Sequence, residues 1–566
     1  MNQAKFNIIV LLILFSLNLL AFLPTVKGDF IWDDRDLILD NPLIQSSSFL
    51  KSVLFSPFDV LTTDIETGKK FAEQTHFYRP LILSSYWLDF QVWGFNPAGF
   101  HLTNIFIHMV CAILLFFIAV GFGFERIYAL FSAILFSLYP LHFENTAWIS
   151  GRTDLLSFLF AAVAVLFFLR YLKRNTGANL LCSSFFFFLS LLSKENCILL
   201  PAIFFLILLR DDKPLKRALA VMAPYLVSLA IWLVIRQLVL KPTALQVSWQ
   251  AIQNFFSLVG FYTFKSLFPF HLSISIESQD IFSNTLFLAL GLAVLAGLVA
   301  LGVLIILKKG RGIVSQAIAA FYLLLIPSAA IVFVDTARSM AAWRFLYAPS
   351  AVLMGLLAYC LTKIIKSRDL QVAIVVLLGL VYVSELYPKN IVFGQKEKDF
   401  WVHMENIERE SLLVQLNAAA ALLFVDENKA LSIYNHILEK QEGQSRYTDY
   451  QTMIQENLAA YYSTRGDFQK AKYYYECVLK RGKPSNIEFH FNYATFLSLT
   501  EEQARAKSIV ADLLLRNPGN HKCLSMSAKF YIRLKEYEKA VPLLKEDYRL
   551  FNTSESLHLL KLLKAN

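Results

Sequence analysis

An all-α fold is predicted, made of a polytopic membrane helix bundle of about eleven spans followed by a C-terminal tetratricopeptide-type α-solenoid. Three observations predict the helical layout. The 566-residue chain is 56% hydrophobic with 50 Phe and a mean hydropathy of +0.50, and its apolar runs are long enough to cross hydrocarbon. Basic clusters punctuate those runs in a way that fixes orientation. From about residue 396 the chain turns polar and periodic, with small residues recurring at solenoid spacing.

The first apolar run, residues 6–24, has only Lys5 as a basic flank, and no small-x-small cleavage site precedes Gly28. It reads as a retained signal anchor. Residues 25–98 then form a large outer loop, with amphipathic pieces at Ser48 to Leu54 and Leu81 to Val92 lying along the membrane surface. Further runs fall at 100–120, 127–141, 153–170, 179–193, 196–210, 217–239, 283–307, 313–334, 345–365 and 370–388. The basic clusters Arg170 to Arg174, Arg210 to Arg217, Lys308 to Arg311 and Lys363 to Arg368 all go to the cytoplasmic side in one threading. That threading leaves 240–282 outside, with a re-entrant or interfacial helix at 252–268, and places the chain after the last span outside as well. The domains are then 1–390, the membrane domain, and 396–566, the repeats.

In the repeats, Ala459, Ala494 and Ala528 are followed twelve residues later by Ala471, Ala506 and Ala540. Pro518 marks the end of one unit and Pro484 lies one place past another. Gly466-Asp467-Phe468-Gln469-Lys470-Ala471 and Glu536-Tyr537-Glu538-Lys539-Ala540 repeat one turn-to-helix signal. This is a tetratricopeptide period, in which small residues let paired helices approach. Ala418 and Ala430 suggest a first, less regular unit, for about four in all.

The net charge of +10 is spread through short loops and sets topology; it is no nucleic-acid footprint. Six Cys without CxxC spacing give no zinc or disulfide framework, and whether Cys477 and Cys523 pair is open. A Gly-rich phosphate loop, GxSxG and HExxH are all missing from the sequence, which argues against soluble nucleotide use and serine or zinc hydrolysis.

The candidate site gathers at the outer ends of the runs. Gly28-Asp29-Phe30-Ile31-Trp32-Asp33-Asp34-Arg35-Asp36 puts four carboxylates in eight residues just where the chain leaves the membrane, and carboxylates at that depth mark function more often than decoration. His101, Asn104 and His108 share one helix face and suit either a hydrogen-bonded interhelical stripe or contact with a lipid phosphate. The loop Tyr139 to Asp154 carries His142, Glu144, Arg152 and Asp154; Lys194-Glu195 ends another run on the same side, as do Arg338 and Arg344. Arg152 with Asp154 also reads as an ion pair at a helix start, and Arg344 beside Trp343 as an interfacial anchor. Together these types suit transfer of a group from a lipid phosphate: arginine forks bind phosphate oxygens, and a carboxylate takes the proton of an attacking hydroxyl. A Glu/His/Asp trio could instead hold a divalent metal, although no spacing is diagnostic; no cofactor is firmly implied.

Several blocks resemble a known family. An acidic pair after the first span resembles the C-type membrane glycosyltransferases, and an ordered set is similar to the transmembrane-and-tetratricopeptide-repeat O-mannosyltransferases. The set comprises Gly28 to Asp34, Tyr78-Arg79-Pro80-Leu81, Gly99 to Asn104, Pro140 to Glu144, Gly151 to Leu156, Ser193-Lys194-Glu195 and Arg344 to Ser350. The resemblance implies inverting transfer of a mannose-like sugar from a polyprenyl phosphate to a Ser or Thr hydroxyl. It implies Asp33 as general base with Asp34 as its partner or an acceptor-orienting group, and Arg79, Arg152 and Arg344, with Arg338 in reserve, on the donor phosphate. Tyr78, His101, Asn104, His108, His142, Glu144, Asp154, Lys194 and Glu195 would line the pocket. The chain departs from the family pattern at Ile274-Ser275-Ile276, where an acidic or aromatic residue is expected, which bears on the sugar. The partners expected are the lipid-linked sugar, an acceptor protein held by the repeats, and the bilayer, with no nucleic acid. The compact size points to a bacterial inner membrane rather than the endoplasmic reticulum, with site and repeats on the non-cytoplasmic side. The competing class is a non-catalytic membrane scaffold recruiting partners through its repeats. A lipid-linked-sugar flippase fits less well, because mid-span stretches such as Leu286 to Ile306 are almost purely apolar.

Overall fold

The computed structural model describes residues 3–39, 41–45, 49–55, 77–210, 214–240, 247–274, 276, 278–307, 309–310, 312–334, 340–408, 411–439, 448–481, 487–517, 520–551 and 554–565. Among these the protein is helical, with no strand, as expected of a chain whose backbone must satisfy itself inside lipid. The chain divides into two compact units: Met1–Ile31 with Tyr78–Lys396, and Trp32–Phe77 with Glu397–Asn566. The loop expected after the first apolar run is therefore split. Its Trp32–Phe77 part belongs with the C-terminal helices, and its remainder with the membrane unit.

Among the described residues of the membrane unit, eight helices are long and apolar enough to cross a bilayer: Gln3–Lys27, Pro97–Gly121, Ile149–Arg174, Leu215–Val239, Thr285–Ile306, Ile313–Phe333, Trp343–Ile364 and Arg368–Phe393. A ninth candidate is the pair Arg126–Ser137 and Pro140–Thr146, bent by 52° where Pro140 cannot continue the helix. The remaining two expected runs are also helices, Gly177–Ser193 and Leu200–Arg210. At 1.5 Å per residue they reach only about 26 Å and about 16 Å, so the expected eleven spans comprise nine by length and two shorter pieces. The stretch expected to be re-entrant or interfacial is the helix Trp249–Leu267, which is not among the candidate spans. It meets Thr285–Ile306 backbone to backbone: a Cβ on Gly260 would lie 1.9 Å from the Phe287 carbonyl oxygen, and one on Gly291 would lie 1.9 Å from that of Phe256. Small residues at such crossings are how apolar helices associate where the hydrophobic effect is absent.

Polar side chains tie the bundle internally. Asn18 donates to the Leu14 carbonyl and to Ser137 Oγ, and Asn390 donates to the Ala21 carbonyl at 2.8 Å. Gly28 is required at the exit of the first helix, since a Cβ there would fall 2.2 Å from the Phe393 carbonyl.

The second unit is a run of helix pairs: Leu412–Leu422 with Glu427–Glu439, Thr448–Arg465 with Phe468–Lys480, Ile487–Ser498 with Gln503–Arg516, and His521–Arg533 with Tyr537–Phe551. The periodic alanines Ala459, Ala494, Ala528, Ala471, Ala506 and Ala540 are all fully buried. Tyr475, Phe489, Tyr493 and Phe496 fill the space between pairs. All six Cys are free thiols, Cys477 and Cys523 included.

Candidate active site

The membrane unit presents its charged groups as interlocked ion pairs. Pro80 opens the helix Pro80–Trp93, and its ring suits the first helical turn. Arg79 is thereby set just outside the helix, where its Nη2 lies 3.0 Å from Glu195 Oε1. Tyr78 beside it is buried, and burial pushes its phenol up to about 12. Glu195 begins a short turn after the helix that ends at Ser193. Burial raises its pKa, but Arg79 and Lys194 outweigh that and hold the carboxyl below its usual range.

Lys194 is 6% exposed, and its Nζ meets both carboxylate oxygens of Asp154, at 2.7 and 2.6 Å. Asp154 is fixed in turn by Asn196 Nδ2 at 2.9 Å, and Asn196 accepts from Ser157 Oγ at 2.6 Å. Burial draws the Lys194 pKa down, and the nearby Arg79 and Arg344 draw it further, while Asp154 opposes them. Three cations thus converge, each held by one carboxylate.

The third cation, Arg344, pairs with Glu144, which also accepts from the Arg344 backbone N–H at 3.1 Å. Its guanidinium lies over Trp148 at 5.1 Å and over Phe345 at 5.6 Å, and Lys194 lies 5.1 Å from the same Phe345 ring. The segment that carries Arg344 is clamped by the Trp249–Leu267 helix and the loop after it. Tyr262 Oη donates to the Ala342 carbonyl at 3.1 Å and accepts from its N–H at 2.9 Å, while Trp343 Nε1 donates to the Ser273 carbonyl at 2.6 Å. The Arg344 side chain remains 21% exposed, enough to meet an incoming anion.

Arg152 is different. Fully buried, it gives Nε to Asn104 at 2.6 Å, Nη2 to the Phe100 carbonyl at 2.9 Å and Nη1 to Asp89 at 2.6 Å, with Tyr86 under its plane at 4.9 Å. Every edge of the fork is spent on protein groups, so the donor-phosphate role expected of Arg152 is at odds with its surroundings. Its expected partner Asp154 serves Lys194 instead. Asn104 also donates to the Trp148 and Ile149 carbonyls, which makes it a brace for the loop. His108 bonds Tyr347 Oη at 2.7 Å and His142 bonds Ser350 Oγ at 2.8 Å, both fully buried among Phe136, Tyr139 and Tyr347. A pocket-lining role is at odds with that burial, and His101, 2% exposed, is buried as well. Glu144, expected to line the pocket, pairs with Arg344. Arg338 lies outside the described residues.

Asp33 and Asp34 belong to the second unit. Asp33 is exposed and Asp34 fully buried. They follow Trp32, whose φ of +56° is rare for a bulky residue and costs about 1–3 kcal/mol unless its surroundings enforce it.

Sequence reasoning missed Asp89, the counter-ion of Arg152, although a lone Asp in an otherwise apolar amphipathic stretch was a usable signal. It also missed Asn196 and Ser157, whose small polar side chains stand out only once Asp154 is seen, and the ring platforms Trp148 and Phe345. Among the described residues, no group of three or more His, Cys, Asp or Glu gathers at metal-holding range, so the Glu/His/Asp trio finds no such donor set there.

The family described as dolichyl-phosphate-mannose-protein mannosyltransferase matches residues 80–240. That span includes Asp89, Glu144, Arg152, Asp154, Lys194 and Glu195, and excludes Asp33, Asp34 and Arg344. Among curated relatives, the chain is 30% identical over 191 residues to the protein O-mannosyl-transferase F38B6.6 of Caenorhabditis elegans, covering 33% of this chain and 26% of that one. It is 32% identical over 184 residues to human protein O-mannosyl-transferase TMTC1, covering 30% and 19%, and 29% identical over 183 residues to Drosophila melanogaster Tmtc1, covering 32% and 21%. The matches span about a quarter or less of the relatives' length. Over that region, the resemblance to the transmembrane-and-tetratricopeptide-repeat O-mannosyltransferases is borne out.

Proposed function

We propose that this membrane protein is an inverting glycosyltransferase that moves a mannose-like sugar from a polyprenyl phosphate to a hydroxyl acceptor, a protein Ser or Thr. The observation that carries the reading is the convergence of Arg79, Lys194 and Arg344 at one end of a bundle whose residues 80–240 resemble mannosyltransferases named for a dolichyl-phosphate donor. Arg79 and Arg344 meet the phosphate as forks and Lys194 as a point charge. Glu195 and Glu144 hold the forks in place until the anion arrives, and stabilise them against mutual repulsion in the empty site.

In the reaction, Asp33 takes the proton of the acceptor hydroxyl as its oxygen attacks the anomeric carbon. The bond from that carbon to the phosphate oxygen breaks on the opposite face, and the electron pair leaves with the polyprenyl phosphate. The three cations stabilise the charge growing on that phosphate, so no strong acid is needed there. Asp34 orients its neighbour. The exposure of Asp33 beside a buried Asp34 supports this division of labour.

The second unit is read as four tetratricopeptide repeats that present the acceptor, a reading supported by the register of buried alanines. Site and repeats lie on the non-cytoplasmic side by the charge rule. The test is donor binding and transfer by the purified full chain in lipid nanodiscs. Arg344→Ala and Arg79→Ala are expected to weaken binding of a radiolabelled polyprenyl-phosphate mannose by about tenfold or more each, as loss of a charge-assisted contact does. Unchanged binding in both would sink the phosphate assignment.

A further inference from the structure

The proposed base sits in the C-terminal unit. Trp32, immediately before the acidic pair, packs edge-on against Trp401 at 5.3 Å and 85°, and against Phe400 at 6.4 Å and 65°. Those two rings are themselves T-shaped to each other at 5.0 Å and almost wholly buried. On the far side of the pair, Arg35 Nη1 reaches Glu397 Oε2 at 2.6 Å. Glu397, Phe400 and Trp401 all belong to one helix, Glu397–Ile407, which leads into the helix pairs. Further on, the short helix Pro42–Gln45 packs against Tyr537–Phe551 of the last pair.

We infer that the C-terminal helical unit is the mount of the acidic pair, with Trp401, Phe400 and Glu397 acting as positioning residues for Asp33 and Asp34. The left-handed backbone at Trp32 needs an enforcing contact, and the aromatic cluster supplies it. The exposed Arg35–Glu397 pair alone would hold little; together with the rings it grips the turn from both ends. The inference rests on the base role proposed for Asp33 and changes what the repeats are for. If they only recruited the acceptor, damage to them would raise KM for that acceptor. As the mount, the helix that leads into them governs kcat, since misplacing a base by an ångström costs on the order of a hundredfold.

The experiment uses the full chain in nanodiscs. Trp401→Ala should speed amide hydrogen exchange in residues 33–39 by about tenfold or more, and lower kcat comparably. KM for the lipid donor should stay within about twofold, because its contacts lie elsewhere. Trp401→Phe, which keeps an aromatic ring, should restore both. If Trp401→Ala does not fold, Trp401→Leu carries the same expectation at about threefold. Unchanged exchange in residues 33–39 overturns the mount whatever the activity. Faster exchange with unchanged kcat overturns the positioning role. A wild-type chain that transfers no sugar counts against the proposed function, while the exchange result still decides the mount.

Discussion

Arg152 and Arg344 are both arginines of the membrane unit, yet their environments ask different things of them. Arg152 neutralises Asp89 inside the fold. Arg152→Ala would strand that carboxylate, at a cost of about 3–5 kcal/mol, and thermal unfolding in detergent should register it as a markedly lower midpoint. Arg344→Ala strands Glu144, whose side chain is as enclosed, 9% exposed against 8% for Asp89, so its midpoint should fall as well, and it alone should weaken donor binding. Weaker donor binding in a folded Arg152→Ala but not in Arg344→Ala would exchange their roles. Glu195 offers a pH test. Its folded pKa is depressed, so the Arg79 pair stabilises the fold above the ordinary glutamate pKa of about 4.3 and the gain is lost as pH falls through the depressed value. The stability difference between wild type and Glu195→Gln should therefore stay level from neutral pH down to about 5 and shrink only on further acidification. A difference that vanishes near pH 6 would contradict the pairing. Which side chains would gather was readable from their types and their place at run ends. Which carboxylate each cation would choose was not: Asp154 and Asp89 are both near Arg152 in plausible pairings, and only helix packing decides between them.

At the scale of helices, the Trp249–Leu267 segment matters more than its modest apolarity suggests. Through Tyr262 and Trp343 it holds the segment bearing Arg344, and through Gly260 it carries the Thr285–Ile306 helix. Gly291→Leu should force that contact apart, with an overpacking cost of roughly 1–3 kcal/mol, measured as a lower unfolding midpoint in nanodiscs. An unchanged midpoint would mean the two helices separate freely. Apolar periodicity located each of these helices because lipid demands it of every span. It could not show that Gly177–Ser193 and Leu200–Arg210 fall short of a full crossing, since a polar break such as Lys194-Glu195 looks the same at a span end and inside a broken one. Nor could it reveal the glycine contact, which depends on which face of each helix turns inward.

Across the whole molecule, the division of the chain is the least legible feature. Sequence order joins the acidic pair to the first span, and composition places the boundary near residue 396. Packing instead sends Trp32 to the C-terminal helices, because its ring finds Phe400 and Trp401 there, a contact across more than three hundred residues of chain that no local pattern announces. The alanine period was visible because paired helices approach closely only through small residues, and those alanines are buried. The donor, the acceptor and the inverting chemistry rest on one claim, that this bundle binds a lipid-linked sugar phosphate and Asp33 activates the hydroxyl that displaces it. The measurement that tests it most directly is transfer of radiolabelled mannose from polyprenyl phosphate to a Ser/Thr-containing protein acceptor by the purified chain, wild type beside Asp33→Asn. The expected result is transfer by the wild type and a loss of about a hundredfold or more in the variant, the contribution of a positioned base, with donor binding retained. Equal transfer by both, or none by either under conditions where the donor binds, would contradict it.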